Sequence, residues 1–531
     1  MALVEKSYSG RGPRVIAFLV ALALGLWFGA LLSGPEATRH PLWPLAVTYV
    51  ALFAVLGWWR WRLVVDVVLV NLPLWVILPM RLGLPNFSLA EIALMAAAFG
   101  GAIRVAQTGR FRWFASSLTP YLALMGLVAL LSSALFFIKW FVVLDSVFLR
   151  VLLHWLGRIT HIDQGSNYHT LRGALTLIEG FIFFHVVLAR VRDTRGVRHL
   201  VRLSLLSAVL VALFGICQRF TGWNQVDFGP WANRINSTFP DPNSLASFLV
   251  ANLIMLVALL TVERGRKQLG LACLLLPIFV VSFLMVRSRS GIGALILVLP
   301  LWVVLRAEWL GLEKPVIWLY KKRRFLAIVY VLALLTLGSA FMGLDWVHHT
   351  DLEWTRSTGR VAQALKGRLN IWRSGLYNLA ESPWFGRGIG TFYVFLGWHW
   401  ENVGTPADWN WNPFFENAHN NFIQLLVETG IAGGGLFLLI VCLVLYQGMR
   451  AVVIHSGEDG AVLGGVLCGL VAFLLTCITG HPLLIVDVNL WFWFAAALLV
   501  VPSRAESVEF ARALAHRRGF RRFILAVVLV A

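Results

Sequence analysis

Charge is scarce in this sequence. Asp, Glu, Lys and Arg make up only 13% of its 531 residues against 59% hydrophobic, and the mean hydropathy is +0.76. That balance excludes a set of water-soluble domains of the size the length would otherwise allow. Cysteine is sparse as well. Cys217, Cys273, Cys442, Cys468 and Cys477 all fall inside apolar runs and none belongs to a CxxC pair, which excludes a disulfide framework and a thiolate metal site. A GxxxxGK[ST] phosphate loop and a DxD pair are absent, as is any internal repeat with a period of about 20–50 residues.

Long apolar runs are abundant instead. They recur from residue 15 to residue 501, each close to the roughly 20 residues a helix needs to cross a bilayer. A run such as FLAIVYVLALLTLGSAF at 325–341 is apolar on every face, whereas a barrel strand would alternate. The fold class is therefore an all-α polytopic membrane protein. About fourteen spans are expected, or roughly twelve to fourteen, with two close neighbours at 42–58 and 63–80, a short one at 88–103 that contains Glu91, and a late one at 431–449. The first run follows Lys6, Arg11 and Arg14. It is longer than a signal-peptide core and lacks a clean cleavage site after it, so it reads as a retained first span.

The excess of basic residues, 45 Lys plus Arg against 26 Asp plus Glu, is of the kind that sets topology rather than one that binds nucleic acid. With the N-terminus inside the cell, cytoplasmic segments carry roughly twice as many Lys and Arg as outer ones, as the positive-inside rule requires. The organisation expected is N-terminal spans over 1–230 and central spans over 231–344 with an arginine-bearing outer hairpin. An outer catalytic loop over 345–430 follows, then C-terminal spans over 431–502 and a basic cytoplasmic tail over 503–531 lying on anionic headgroups. A loop of that length is commonly functional. Within it GRLNIWRSGLYNLAES has helical periodicity, PWFGRGIG breaks it, and a second helix starts near Asn417 and ends at Gly430 as its cap.

Several outer residues are suited to chemistry. The stretch WHWENVGTPADWNWNPFFENAHNNF at 398–422 combines aromatic rings with amides and carboxylates. Two readings are open for it, the preference of Trp for the headgroup interface and a platform on which sugar rings stack, and the two can hold for different residues. His419 opens the second loop helix, where an imidazole can serve as a general base. Arg287 and Arg289 sit in a tight VRSRSG hairpin on the outer side, where positive charge is normally avoided, and Arg234, Arg360, Arg368 and Arg373 map to the same side. Singly these could be surface residues, and Arg360 and Arg373 read that way. Clustered guanidiniums form a forked site for a diphosphate. His348, His349 and Asp351 lie together without metal-ligand spacing, so no metal is expected. Asp66, Glu179, His185 and Asp487 are ionisable residues within spans and hence default functional candidates.

The long outer loop followed by HNNFIQLLVETGIAGGG resembles the O-antigen ligase (WaaL) and O-antigen polymerase (Wzy) superfamily, whose ligases carry H-[NSQ]-x9-G-x-x-[GTY]. His419, Asn420, Gly430 and Gly433 occupy those positions. STFPDPNSLASFL at 237–249, the SRSG hairpin at 288–291, and GRLNIW followed by ESPWFGRGIGTF are similar to further family elements. The resemblance implies a GT-C-like fold in the bacterial inner membrane. It also implies metal- and cofactor-independent transfer of a glycan from undecaprenyl diphosphate to an acceptor hydroxyl at the periplasmic face, the acceptor being lipid A core oligosaccharide or another glycan. His419, Arg289 and Arg368 then take catalytic roles. Arg287, Arg234, Asn420, Asn243 and Trp372 bind substrate. A ligase, a Wzy-type polymerase and, from another class, a lipid-linked-glycan transporter all remain open at this level. The partners expected are the lipid-linked glycan, its acceptor and membrane lipids, without nucleic acid. The span count, nearer fourteen than twelve, and the basic C-terminal tail depart from the family pattern.

Overall fold

The computed structural model describes residues 4–33, 41–72, 88–143, 166–191, 193–222, 234–262, 266–305, 368–392, 417–455 and 457–500. Helices account for nearly all of them. In chain order they are α1 (Arg11–Ser33), α2 (Trp43–Asn71), α3 (Leu89–Thr108), α4 (Thr119–Val143), α5 (Ser166–Arg190), α6 (Thr194–Thr221), α7 (Pro242–Val262), α8 (Arg266–Val286) and α9 (Arg289–Leu305). There follow α10 over 368–381, then α11 (Asn421–Ile454), α12 (Gly457–Ile478) and α13 (Val486–Val500). Among the described residues, eight helices are long and apolar enough to cross a membrane, and three shorter apolar segments accompany them. Two short strands, β1 (Val4–Ser9) and β2 (Arg110–Ala115), pair antiparallel, an addition to the expected all-helical fold.

The apolar runs expected at 42–58 and 63–80 are found within one helix, α2, broken at Arg60 (φ −140°, ψ 61°). Residues 73–80 of the second run lie outside the described residues, as does the run at 325–344. The first half of α2 lies along α3 in the same direction, since Tyr49 donates to the carbonyl of Leu89 at 2.9 Å and Trp58 donates to Gln107 at 3.0 Å. Small residues let the two backbones touch. A Cβ on Gly57 would sit 2.1 Å from the carbonyl oxygen of Ala97, and one on Gly100 would sit 1.8 Å from that of Ala54.

Glu91, an acidic residue within an apolar run, has structural work. Ser88 and Glu91 form a reciprocal capping box at the start of α3, and Glu91 also pairs with Arg172 of α5. At the other end of α5, Arg190 holds Asp66 in a two-pronged bond at 2.9 and 3.0 Å, and His199 approaches the same carboxylate at 3.5 Å. Arg198 bonds Glu458 and Asp459 near that end at 3.1 and 2.8 Å. The two arginines of α5 are about 27 Å apart along the helix axis at 1.5 Å per residue. The structure thus gathers residues 190–199 and 458–459 at one end and residues 88–91 and 172 at the other, the same grouping by side that charge distribution gives.

At the centre is α13, buried on all sides from Asp487 to Val500, with Trp491 and Trp493 fully enclosed. A helix apolar all round belongs in such a place. Outward-facing rows on α1 and α8, among them Phe18, Leu26, Leu269 and Leu274, are apolar and exposed, as lipid contact requires. His185 is occupied structurally: its Nε2 meets the Thr119 hydroxyl at 3.0 Å and its Nδ1 the carbonyl of Phe181 at 2.7 Å. All five cysteines are free.

Candidate functional site

The position of His419 is built from a break in a helix. α11 is interrupted at Gly430 (φ 69°, ψ −172°), a conformation open essentially only to glycine, so the short first part over 421–429 is set apart from the apolar remainder. The break leaves carbonyls and amides without helical partners, and the segment 383–388 supplies them. Arg387 and Gly388 donate to the carbonyls of Val427 and Glu428 at 3.2 and 2.9 Å, while Ile431 and Ala432 donate to those of Pro383 and Trp384 at 2.8 and 3.1 Å. Backbone runs so close to backbone that a Cβ on Gly386 would lie 2.4 Å from the Glu428 carbonyl, and one on Gly430 2.3 Å from that of Trp384. Gly433 is tight for a related reason: its Cβ would meet the Thr429 hydroxyl. The glycines of PWFGRG and of the histidine motif are therefore two halves of one interlock.

The first part of α11 is capped by Asn420, whose side-chain oxygen accepts from the amides of Phe422 and Ile423, both at 3.0 Å. His419 precedes the cap at φ 46°, with its amide donating to the Asn417 side chain at 2.8 Å. Ala418 is held on both sides. Its amide donates to Gln424 at 3.2 Å and its carbonyl accepts the indole N–H of Trp372 at 2.7 Å. Gln424 in turn donates to the buried Glu428 at 3.0 Å, and Glu428 also accepts from the amide of Phe392. Beneath this network Ile371, Phe392, Ala418 and Val427 form a small apolar core of their own. Arg368 stands one helical turn before Trp372, on the face of α10 that meets Ala418.

A second wall is the hairpin between α8 and α9. Arg287 takes a left-handed backbone (φ 53°) and Ser288 caps α9 through its hydroxyl. Arg287 and Arg289 are thereby left exposed at a helix N-terminus, a place suited to anions. Arg234 braces this hairpin, donating to the carbonyl of Val286 at 2.9 Å and to the Asn243 side chain at 2.8 Å. Burial lowers its pKa, Asp241 opposes that, and the nearby Arg289 adds to it. Asp241 is itself fixed by the amides of Asn243 and Ser244 at 2.8 and 3.0 Å.

The two walls are joined by His481, in the short turn before α13. Its ring meets that of His419 edge to face at 5.3 Å between centroids, and its Nε2 lies 3.8 Å from Asp241. Behind the His419 loop is a cavity of about 160 Å³ with Arg172, Asn421, Gln424, Glu428, Asn489 and Trp493 among its lining.

Of the residues singled out by sequence, His419 and Arg234 are linked through His481 and Asp241, Arg287 and Arg289 stand on the same hairpin, and Arg368 and Trp372 lie on the helix tied to Ala418. Asn420, Asn243 and Trp372 make hydrogen bonds to the cap, the hairpin brace and the loop carbonyl. Residues 393–416, which hold most of the aromatic stretch, lie outside the described residues, as do His348, His349, Asp351 and Arg360. Sequence reading missed His481 and Asp241. His481 carries no motif, and its only signal was an ionisable residue in a very short connection between two apolar runs.

Residues 271–438 match the family described as O-antigen ligase. That match, over about a third of the chain, bears out the O-antigen ligase/polymerase resemblance; it takes in Arg287, Arg289, Arg368 and His419 and ends before His481. No curated protein matches the chain.

Proposed function

We propose that this chain is an O-antigen ligase-like glycosyltransferase of the bacterial inner membrane. It moves a glycan from undecaprenyl diphosphate to an acceptor hydroxyl, that of lipid A core oligosaccharide, at the periplasmic face and without a metal ion. The observation that carries the reading is the His419–His481–Asp241 contact, which brings the imidazole of the family motif to the arginine-bearing hairpin.

In the reaction, the acceptor O–H gives its proton to His419 while its oxygen bonds to the anomeric carbon of the donor sugar. The bond from that carbon to the phosphate oxygen breaks, and its electron pair leaves with the polyprenyl diphosphate. Direct attack inverts the anomeric centre. Charge grows on the leaving diphosphate, where Arg289 and Arg368, with Arg287 and Arg234 in support, stabilise it; a preorganised charge-stabilising group contributes about 3–4 kcal/mol in comparable sites. A positioned base contributes roughly 10²- to 10⁴-fold. The activated carrier supplies the driving force, and the sequence has no nucleotide-binding loop.

Polymerisation differs only in the acceptor, a second carrier-linked glycan, and the family match covers ligation and polymerisation alike. The test is to incubate purified protein in chelator with lipid-linked glycan and either lipid A core or carrier-linked glycan alone. Core-linked product supports ligation. Longer carrier-linked chains overturn it in favour of polymerisation. Product with neither acceptor, combined with movement of lipid-linked glycan across vesicles by a His419→Ala protein, overturns the enzyme reading in favour of transport.

A further inference from the structure

We propose that His481 is a positioning residue for His419, acting together with Asp241; this rests on the reading of His419 as the base that takes the acceptor proton. The backbone around His419 is fixed by Asn417, by the Asn420 cap and by the Trp372 bond to Ala418. None of these contacts sets the direction of the imidazole ring. His481 does. The two rings meet at an interplanar angle of 63° with centroids 5.3 Å apart, an edge-to-face arrangement in which turning either ring costs the contact.

His481 is itself held from two sides. Its carbonyl accepts the amide of Leu484 at 3.0 Å, which closes the turn into α13, and its side chain is only 15% exposed. Its Nε2 is 3.8 Å from Asp241 Oδ2, a close electrostatic pair longer than a hydrogen bond. Asp241 cannot swing away, because both its oxygens are engaged at the start of α7: Oδ1 by the amides of Asn243 and Ser244, Oδ2 by the Ser244 hydroxyl. Among the groups facing His481 are His419, just before the cap of α11, and Asp241, just before α7; Arg234 lies near Asp241, and Arg289 near Arg234.

This arrangement has an electrostatic consequence. When His419 accepts a proton it becomes cationic, in a site where Arg234 is flanked by Asp241 and Arg289. Asp241, relayed through the His481 ring, is the anion that offsets this charge. His481 therefore orients the base and couples it to that carboxylate, while the hairpin arginines remain directed at the diphosphate.

The experiment uses full-length protein in lipid nanodiscs with defined lipid-linked donor and glycan acceptor. It measures kcat, donor KM and the pH–rate profile for His481→Ala, His481→Gln and Asp241→Asn beside His419→Ala. Removing the ring in His481→Ala is expected to lower kcat by about tenfold or more while donor KM changes by less than about threefold, a small part of the range a base contributes. His481→Gln, which keeps a donor towards Asp241, should retain more activity than His481→Ala. Asp241→Asn should lower kcat and move the acid limb of the profile to lower pH, because protonated His419 loses its offsetting anion. Acylation of His419 by an imidazole-directed reagent, read by peptide mass, should be faster in His481→Ala. A folded His481→Ala protein with unchanged kcat, an unmoved profile in Asp241→Asn and an unchanged acylation rate would overturn the proposal. Absence of transfer by the unsubstituted protein overturns instead the reading of His419 on which it rests, and a His481 effect on acylation alone would then mark a structural contact and nothing more.

Discussion

Trp372 donates its indole N–H to the carbonyl of Ala418 at 2.7 Å, so the helix that carries Arg368 is tied to the residue immediately before His419. A diphosphate-binding candidate and a base candidate on separate segments are thereby kept in register. Trp372→Phe keeps the ring and deletes the bond. It should cost about 1 kcal/mol of stability and lower kcat several-fold, with the larger effect on kcat; unfolding in detergent and steady-state transfer kinetics measure the two separately.

Gly430 is the pivot of the interlock, and its backbone is one that a side chain opposes. Gly430→Ala should destabilise the protein by about 1–3 kcal/mol from backbone strain, and more from the approach of Trp384. Gly435, one turn on, faces open space, and Gly435→Ala should be neutral or stabilising by up to about 1 kcal/mol through helix propensity. Thermal unfolding of the two variants side by side checks the contrast.

Arg289→Ala should reduce kcat by about 10²-fold or more if the guanidinium meets developing charge. Arg289→Lys should recover only part of this, because an ammonium lacks the planar fork that grips a diphosphate. Equal activity of the Lys variant and the unsubstituted protein would remove the bidentate role.

Asp66→Asn breaks the pair with Arg190 at the far end of α5 from the site. The expected result is a lowered unfolding temperature with kcat and KM of the folded protein unchanged. A change in kcat would mean that the two ends are coupled.

The span pattern was legible because hydropathy is a local property of the chain, and so was the separation at Gly430, where a breaker stands between an amphipathic stretch and an apolar one. The partner of that break was not. The four backbone bonds from 383–388 to 427–432 use groups every residue possesses, and only the glycines at 386 and 388 hint that something must come close. The break at Arg60 was legible as a gap between two apolar runs, but not the continuity of α2 through it. Glu91 looked like a flaw in a short span, because its Ser88 cap is local but its Arg172 partner is distant in sequence. His481 escaped notice because its meaning comes wholly from Asp241 and His419, which approach it from other parts of the chain.

The guanidinium–carboxylate pairs at the two ends of α5 limit how this protein can move. An axial slide of that helix, even by the 5.4 Å of a single turn, would pull Arg172 from Glu91 and Arg190 from Asp66 together. A piston movement of α5 would therefore have to break both pairs at once, one at each end of the helix.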